Sequence, residues 1–420
     1  MKRILETCVL LSAYVAGAAQ SSMPLTIEDC YATARQHYPL LKQTEVIAKS
    51  KEYSVENISK GWLPQVSFSG QVTYQSAVTE IPIKLPNIAI DNPSRDQYKI
   101  FAEVNQALFD GGISKQQKQL LETSEVIEQQ KLEVEVYKLK DRINQLFFGI
   151  LLINEQLDQV QTLKKDIQSG ISKVEGALNN GAALKSSVDV LKAELLKTQQ
   201  HETEMRAGRK AYLTMLGLYL NKTLDESSVL NKPRDLPQSS TINRPELHLY
   251  ELQKKSLDVQ DKLIKAKNQP RVGLFLQTGY GKPALNLLKN KFDAYYIGGL
   301  RVTWSLSGFY TEKKDQQLQV LNRQSIDIQK QTFLFNTGVT LSQQDGDVEK
   351  IRALIKTDNE IIALRTSIKS TANAQLNFGT ITSNDYIREV TAEDMAKQNL
   401  LLHQVQLLMT QYSQRITTGK

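Results

Sequence analysis

The chain has 420 residues, 23% of them charged, and a mean hydropathy of −0.36. Beyond its first residues no apolar run approaches the roughly 18–20 residues of a membrane-spanning helix, which excludes a helical membrane protein but not a β-barrel, whose alternating strands leave little trace in averaged hydropathy. The net charge of +7 comes from 52 basic and 45 acidic side chains interleaved along helical segments, the pattern of a solvated face and not of a nucleic-acid stripe.

The basic start Met1-Lys2-Arg3, the mostly apolar run from Val9 to Ala16 and the small residues Ala16-Gly17-Ala18-Ala19 predict a secretory signal peptide over 1–19. Cys8 lies inside the apolar run with no lipobox before it, which argues against a lipid anchor there. The mature chain then keeps Cys30 alone, so an intrachain disulfide is excluded despite an oxidising destination. Burial on a helix face is the favoured place for this thiol, over an exposed and reactive one.

All eleven prolines fall at 24–93 and 233–283. The stretches 94–232 and 284–420 are therefore proline-free and rich in Gln, Glu, Lys and Leu, which favours long helices. A first helix is predicted over 27–60, interrupted at Pro39. From Gln65 to Tyr74, Val66, Phe68, Gly70, Val72 and Tyr74 alternate with Gln65, Ser67, Ser69, Gln71 and Thr73, a clean strand pattern. Tyr98, Ile100, Ala102, Val104 and Leu108 alternate with Lys99, Glu103 and Asn105, leaving Phe101 and Gln106 as exceptions.

One helix is predicted over 113–178, about 100 Å at 1.5 Å per residue. Within it Leu132, Val136, Leu139, Ile143, Leu146, Ile150, Ile153, Leu157 and Val160 keep a strict 4-3 spacing. Lys164 interrupts the series, which resumes in phase at Ile167, Ile171, Val174 and Leu178, a coiled-coil seam. A shorter helix is predicted over 183–216. With 27–60 it would make two half-length pieces that stack end to end against the full-length partner.

The second half repeats the first. Pro39 and Pro64 stand 25 residues apart, as do Pro245 and Pro270; Leu108 and Gly181 stand 73 apart, as do Leu306 and Gly379. Duplication gives repeats over 25–220 and 243–416, joined by a linker at 221–242. The second pair of strands is read from Val272, Leu274, Leu276 and Tyr280, then from Tyr296, Leu300, Val302, Trp304 and Leu306 alternating with Arg301, Thr303 and Ser305. Strands of about ten residues with one apolar face fit an outer-membrane barrel, and a soluble sandwich would alternate in the same way.

Leu25-Thr26-Ile27-Glu28-Asp29, Leu63-Pro64, Leu108-Phe109-Asp110-Gly111-Gly112 and Gly181 with Ser186-Ser187-Val188-Asp189-Val190-Leu191 and Ala193-Glu194 follow one another in an order and spacing that resemble the TolC family of outer-membrane efflux proteins. The resemblance covers nearly the whole mature chain. It implies a mixed α/β membrane protein with long coiled-coil helical hairpins and transmembrane β-strands. It further implies a homotrimer with a twelve-stranded barrel and a periplasmic helical tunnel, which docks on a periplasmic adaptor and an inner-membrane transporter. The function implied is a passive export duct, not an enzyme, with no cofactor. The second half departs from the pattern: Leu306-Ser307-Gly308 replaces the Leu108 to Gly112 run, and Gly379-Thr380-Ile381-Thr382 replaces Gly181-Ala182-Ala183-Leu184.

The resemblance places hairpin turns at Gly181 and Gly379 and the entrance to the tunnel beside them, with Asp385 and its counterpart Asp189 as gate candidates and Arg388 where a second acid is usual. Two readings of these carboxylates stand. An Asp near a helix start caps it or favours its dipole; under threefold symmetry each would instead give a ring of three carboxylates that favours cations. From the alternation, Val66, Phe68, Val72, Val302 and Trp304 are expected to face lipid, and Gln65, Ser67, Arg301 and Thr303 the lumen. His37, His201, His248 and His403 are isolated, with no metal-ligand spacing. Gly279-Tyr280-Gly281-Lys282 lacks the full phosphate-loop pattern and reads as a turn. The alternative function is a pore-free periplasmic adaptor, also built on long hairpins, and an extracytoplasmic enzyme comes third.

Overall fold

The computed structural model describes residues 24–79, 93–236, 241–287 and 289–420. The predicted signal peptide over 1–19 lies outside them, as does part of the predicted 221–242 linker. In chain order they form α1 (Ile27–His37), α2 (Gln43–Lys60), β1 (Gln65–Tyr74), β2 (Asp96–Phe109), α3 (Ile113–Tyr137), α4 (Leu139–Asn179) and α5 (Lys185–Leu220). The second half gives α6 (Pro245–Lys267), β3 (Arg271–Lys282), β4 (Asp293–Thr303), α7 (Phe309–Asn377) and α8 (Ser383–Thr418). Short 3-10 turns stand at Pro39–Lys42 and Leu306–Gly308. No described helix is long and apolar enough to cross a membrane.

The turn glycines and the helices that follow them recur with one offset. Gly181 and Gly379, the first residues of α5 and α8 at 185 and 383, and their last at 220 and 418 are each 198 residues apart. β1 and β3 begin at 65 and 271, an offset of 206. The difference arises where β1 and β2 are joined through 75–95 but β3 and β4 only through 283–292. Compact units cut across these repeats: one comprises Met1–Leu41, Glu135–Arg244 and Phe335–Lys420, the other Lys42–Val134 and Pro245–Leu334.

In the first unit the Thr26 hydroxyl accepts from the Asp29 backbone N–H at 3.1 Å and so starts α1. Ile27, Cys30 and Ala34, spaced along one face, pack with Phe147, Phe148, Leu213 and Leu216 into a core from α1, α4, α5 and α8. Burying each large apolar side chain there contributes about 1.5–3 kcal/mol. The Cys30 thiol is buried as expected, and desolvation pushes its pKa up to about 12. The segment after α5 is not a free tether: Leu25 donates its N–H to the Val229 carbonyl and accepts from Asn231, both at 2.9 Å, and Leu230 enters the core.

The seam is present. Leu139, Ile143, Ile150, Leu157, Val160, Ile167, Ile171 and Val174 are buried, with Leu146, Ile153 and Leu178 partly so. The predicted single helix over 113–178 is corrected, however, to α3 and α4, parted at Lys138. Lys138 keeps helical dihedrals (φ −61°, ψ −19°), so the ladder is interrupted and not turned. Around it Leu132, Val134, Val136, Tyr137 and Leu139 are all buried, more than one helix face at once. The Tyr137 hydroxyl donates to the Ile416 carbonyl at 2.9 Å, a bond foreign to the helix. β-branched Val134 and Val136 also weaken the local helix preference.

The two hairpins are held differently. α4 packs closely on α5 and on α8. α7 is tied to α8 by polar side chains: Gln414 to Asp345 (2.7 Å), His403 to Asp358 (2.6 Å), and Arg365 to Glu389 (3.2 Å). Leu354, Ile361, Leu364 and Ile368 of α7 stay exposed.

In the second unit the strands form one antiparallel sheet in the order β1-β2-β3-β4, so the hairpins of the two repeats join at its centre. A bulge between Ala107 and Phe109 breaks the β2–β3 register. The Asp110 carboxylate then accepts from the N–H groups of Gly112 (2.9 Å) and Ser114 (2.7 Å), which starts α3. The strand read through Leu306 is corrected: β4 ends at Thr303, and Trp304 lies beyond it. The Trp304 indole donates to the Asn268 carbonyl at 3.0 Å instead of entering the sheet, and a 3-10 turn follows at once. Asn268 also donates to Glu312 at 2.8 Å, taking over the junction that Asp110 organises in the first repeat.

Lys164, the gap in the seam, crosses from α4 to Glu202 on α5 at 2.8 Å, and Gln161 and Arg206 donate to the same carboxylate. These hydrogen bonds, from Lys164 first and then Arg206, lower the Glu202 pKa to about 2. Its folded pKa is thus below the unfolded value of about 4.3, so its stabilisation is present above that pH and is lost as pH falls toward 2. Glu202→Gln should cost about 1–3 kcal/mol at pH 7. Denaturant melts of both proteins at pH 7 and pH 3 should show the gap narrowing in acid.

Candidate functional site

The sheet has two chemically distinct faces, and the register assigns every strand residue to one of them. Gln65 lies opposite Asn105, and Ser67 opposite Glu103; Arg301 pairs with Gly273, and Thr303 with Arg271, on the same side. The sequence-predicted polar set is therefore brought onto one face. Arg301 is its electrostatic centre: the guanidinium donates to Glu103 (3.1 Å) and Asn105 (3.4 Å) and lies 4.4 Å over the Phe275 ring. Glu103 and Asn105 were visible as polar alternants, but their meeting with Arg301 required the strand order. Phe101, Phe275 and Tyr295 are the aromatic exceptions on this face.

The other face carries Val66 opposite Val104, Phe68 opposite Ala102, Val72 opposite Tyr98, and Val302 opposite Val272. Its side chains stand largely free, Phe68 at 81% and Tyr296 at 77% exposure. Among the described residues the outer edges of β1 and β4 have no strand partner. A twisted sheet that exposes both an apolar face and two edges is incomplete by itself.

The hairpin turns are built alike. Gly181 (φ 73°) and Gly379 (φ 68°) adopt the left-handed conformation that closes a helix C-terminus. Gly181 donates to the Leu178 carbonyl and Ala182 to Ala177; Gly379 donates to Leu376 and Thr380 to Gln375. After the second turn Thr382 and Asp385 form a capping box. The Thr382 hydroxyl accepts from the Asp385 N–H (3.2 Å), and Asp385 accepts from the Thr382 N–H (3.3 Å) and hydroxyl (2.7 Å). These bonds, with Arg388 at 3.9 Å as a weaker contribution, hold the Asp385 carboxyl below the usual carboxylate range. The helix-start role is thus realised for Asp385, which keeps a partly exposed, ionised carboxylate.

Asp189 differs. It is exposed and lies past the first turn of α5, whose cap position Leu184 makes no side-chain bond. Capping does not account for it. Arg388 is exposed and also reaches Glu389 at 3.2 Å, which Arg365 of α7 engages in turn.

Further along α8 a charge cluster gathers around buried Glu393, and its link to Asp166, some 200 residues away in the chain, has no sequence signal. Lys369 bridges Asp166 of α4 (2.8 Å) and Glu393 of α8 (2.7 Å). Glu393 also takes Lys397 (2.9 Å) and the Thr366 hydroxyl (2.9 Å). Burial would raise the Glu393 carboxyl, but the bonds from Lys369, Lys397 and Thr366 outweigh it and the net shift is downward. The neighbouring Asp394, held only by the amides of Gln159 and Gln398, is raised by desolvation. Among the described residues no group of three or more His, Cys, Asp or Glu is placed to hold a metal.

The model of the outer membrane efflux protein family matches residues 30–221. No curated protein sequence matches the chain. Its fold is similar to that of VceC, an outer membrane protein of Vibrio cholerae, with TM-score 0.64 at 12% identity over 94% of this chain and 96% of that one. It is similar to the CmeC outer membrane channel of Campylobacter jejuni (TM-score 0.64, 13% identity, 94% and 85% coverage). The open-state MtrE outer membrane channel of Neisseria gonorrhoeae gives TM-score 0.62 at 11% identity, covering 94% and 89%. At such identities the likeness is one of fold. The resemblance read from the sequence stands, and nothing among these matches supports a pore-free adaptor.

No atom lies within 4 Å of where a Cβ would stand on Gly181 or Gly379. Alanine at either position should therefore be penalised by the left-handed backbone alone, about 1–2 kcal/mol. Asparagine, which tolerates that conformation, should cost less. Denaturant unfolding of the four variants should rank Ala below Asn at both positions.

Proposed function

We propose that this chain, an outer-membrane efflux protein by its family match and by its fold, is one of three copies that together close a barrel and form a passive export duct. The observation that carries the reading is the four-stranded sheet, apolar on one face, polar on the other and open at both edges. In hydrocarbon each unpaired backbone N–H and C=O costs several kcal/mol. Edge-to-edge joining of β4 to β1 of the next copy removes those edges and gives twelve strands. Val66, Phe68, Val72 and Val302 then face lipid, with Trp304 just past its strand, while Gln65, Ser67, Arg301 and Thr303 line the lumen. A pore-free adaptor has no use for so exposed an apolar sheet face.

The α4–α5 and α7–α8 hairpins form the periplasmic tunnel in this reading, with a periplasmic adaptor and an inner-membrane transporter as partners. A passive duct needs no cofactor and takes its substrate choice from the transporter. The turns at Gly181 and Gly379 mark the entrance, where Asp385 and Asp189 of three copies form rings that favour cations. Arg388 beside Asp385 neutralises part of that field.

The protein extracted from outer membranes with detergent should be a homotrimer; a detergent-free soluble monomer by light scattering would overturn the reading. In planar bilayers under a salt gradient, Asp385→Ala should lower cation selectivity modestly without disturbing the trimer, and Asp189→Ala should act in the same direction. If neither shifts the reversal potential, the rings fail while the channel stands.

A further inference from the structure

Where the strands of the second unit meet their helices, aromatic and basic side chains lie in two successive tiers. Trp62 precedes β1, Phe109 ends β2, and Trp304 and Phe309 connect β4 to α7, the last two with ring centroids 6.5 Å apart. All four are exposed, and such rings favour the boundary between hydrocarbon and headgroups. Within the next two helical turns come Lys115 and Lys118 on α3 and Lys313 and Lys314 on α7. Trp62, Phe109, Lys115 and Lys118 line one cleft.

Helix stability does not explain these lysines. Both pairs stand in the opening turns of their helices, where positive charge opposes the helix dipole. α3 has no acid in its first turn, and Asp110 is spent on capping it. On α7 Glu312 is engaged by Asn268 and Gln316. Lys265 and Lys267 at the end of α6 add charge at the same junction, though there the dipole favours them. At the other end of the sheet the charges are mixed: Asp96 and Asp293 begin β2 and β4, near Lys99 and Lys282.

We propose that this basic tier binds anionic phospholipid headgroups of the leaflet facing the helices, with the aromatic tier seated at the top of the acyl chains. The proposal rests on the membrane reading of the sheet. Charge complementarity selects the occupant: a zwitterionic headgroup offers no net charge to the four ammonium groups of the tier. Each lysine at headgroup level strengthens association with an anionic surface about fivefold, and salt screens the effect.

The chain's only two tryptophans, Trp62 and Trp304, lie in the aromatic tier and serve as reporters. The trimer is reconstituted in phosphatidylcholine vesicles that contain either brominated phosphatidylglycerol or brominated phosphatidylcholine. The anionic lipid should quench tryptophan fluorescence more at equal mole fraction. Replacing Lys115, Lys118, Lys313 and Lys314 by Gln should lower that preference more than tenfold while quenching by phosphatidylcholine persists. Should the fourfold variant fail to insert, Lys115→Gln and Lys313→Gln should each lower it about fivefold. Equal quenching by both lipids, or an unchanged preference in the variants, overturns the proposal and leaves insertion intact. A preference abolished by inorganic phosphate at constant ionic strength would mean a free-phosphate site and would also overturn it. Absence of quenching by either lipid would instead overturn the membrane reading itself.

Discussion

A β-strand at a sheet edge leaves every second N–H and C=O unpaired, and hydrocarbon supplies no water to satisfy them. Most of the second unit's sequence becomes intelligible from that demand. In the proposed barrel the sheet must present apolar side chains outward, which β1 does with Val66, Phe68 and Val72. It must also keep its polar alternants on the opposite side, where Arg301, Glu103 and Asn105 satisfy one another. Four strands answer the backbone only within the sheet and leave the edges of β1 and β4 without strand partners among the described residues. In the proposed duct, closure by further copies is what the backbone requires.

The helical unit solves a different problem with the same economy. The α4 seam supplies close apolar packing, and the single lysine that interrupts it is used as a register mark through Glu202. A charged pair there specifies one alignment of α4 on α5 more sharply than another leucine would, since sliding by a turn strands both charges. α7 follows the other strategy. It is held to α8 by polar pairs while Leu354, Ile361, Leu364 and Ile368 remain exposed.

Much of this was legible because it is periodic. Period-two alternation located β1 without error, and the 4-3 spacing located the α4 core. The recurrence of 25- and 73-residue intervals suggested a duplication, and α5 and α8 are both 36 residues long. Failures came where a single side chain overruled a period. The alternation runs on through Trp304, but the indole finds the Asn268 carbonyl and the strand ends. The seam passes Lys138 in phase, so nothing in the pattern reveals the lost ladder bond. Sheet order and the Lys369–Asp166–Glu393 cluster were beyond reach for another reason: they join residues far apart in sequence, and only the fold decides that they meet. Asp385 falls between these cases, since Thr382 and Asp385 carry the spacing of a capping box, whereas the proposed carboxylate ring depends on neighbouring copies.

The burial of Cys30 has a chemical consequence outside folding. Desolvation pushes its pKa up to about 12, which leaves little thiolate at neutral pH, and the sulfur is sealed from reagents by the core. A lone accessible thiol in an oxidising compartment would invite cross-linking between chains; this one is chemically silent. With the predicted signal peptide and its Cys8 removed, the protein should behave toward maleimides and methanethiosulfonates as though it had no cysteine. Single cysteines placed along either sheet face or either hairpin turn can be labelled one at a time in the native sequence background, with no need to remove the natural residue first.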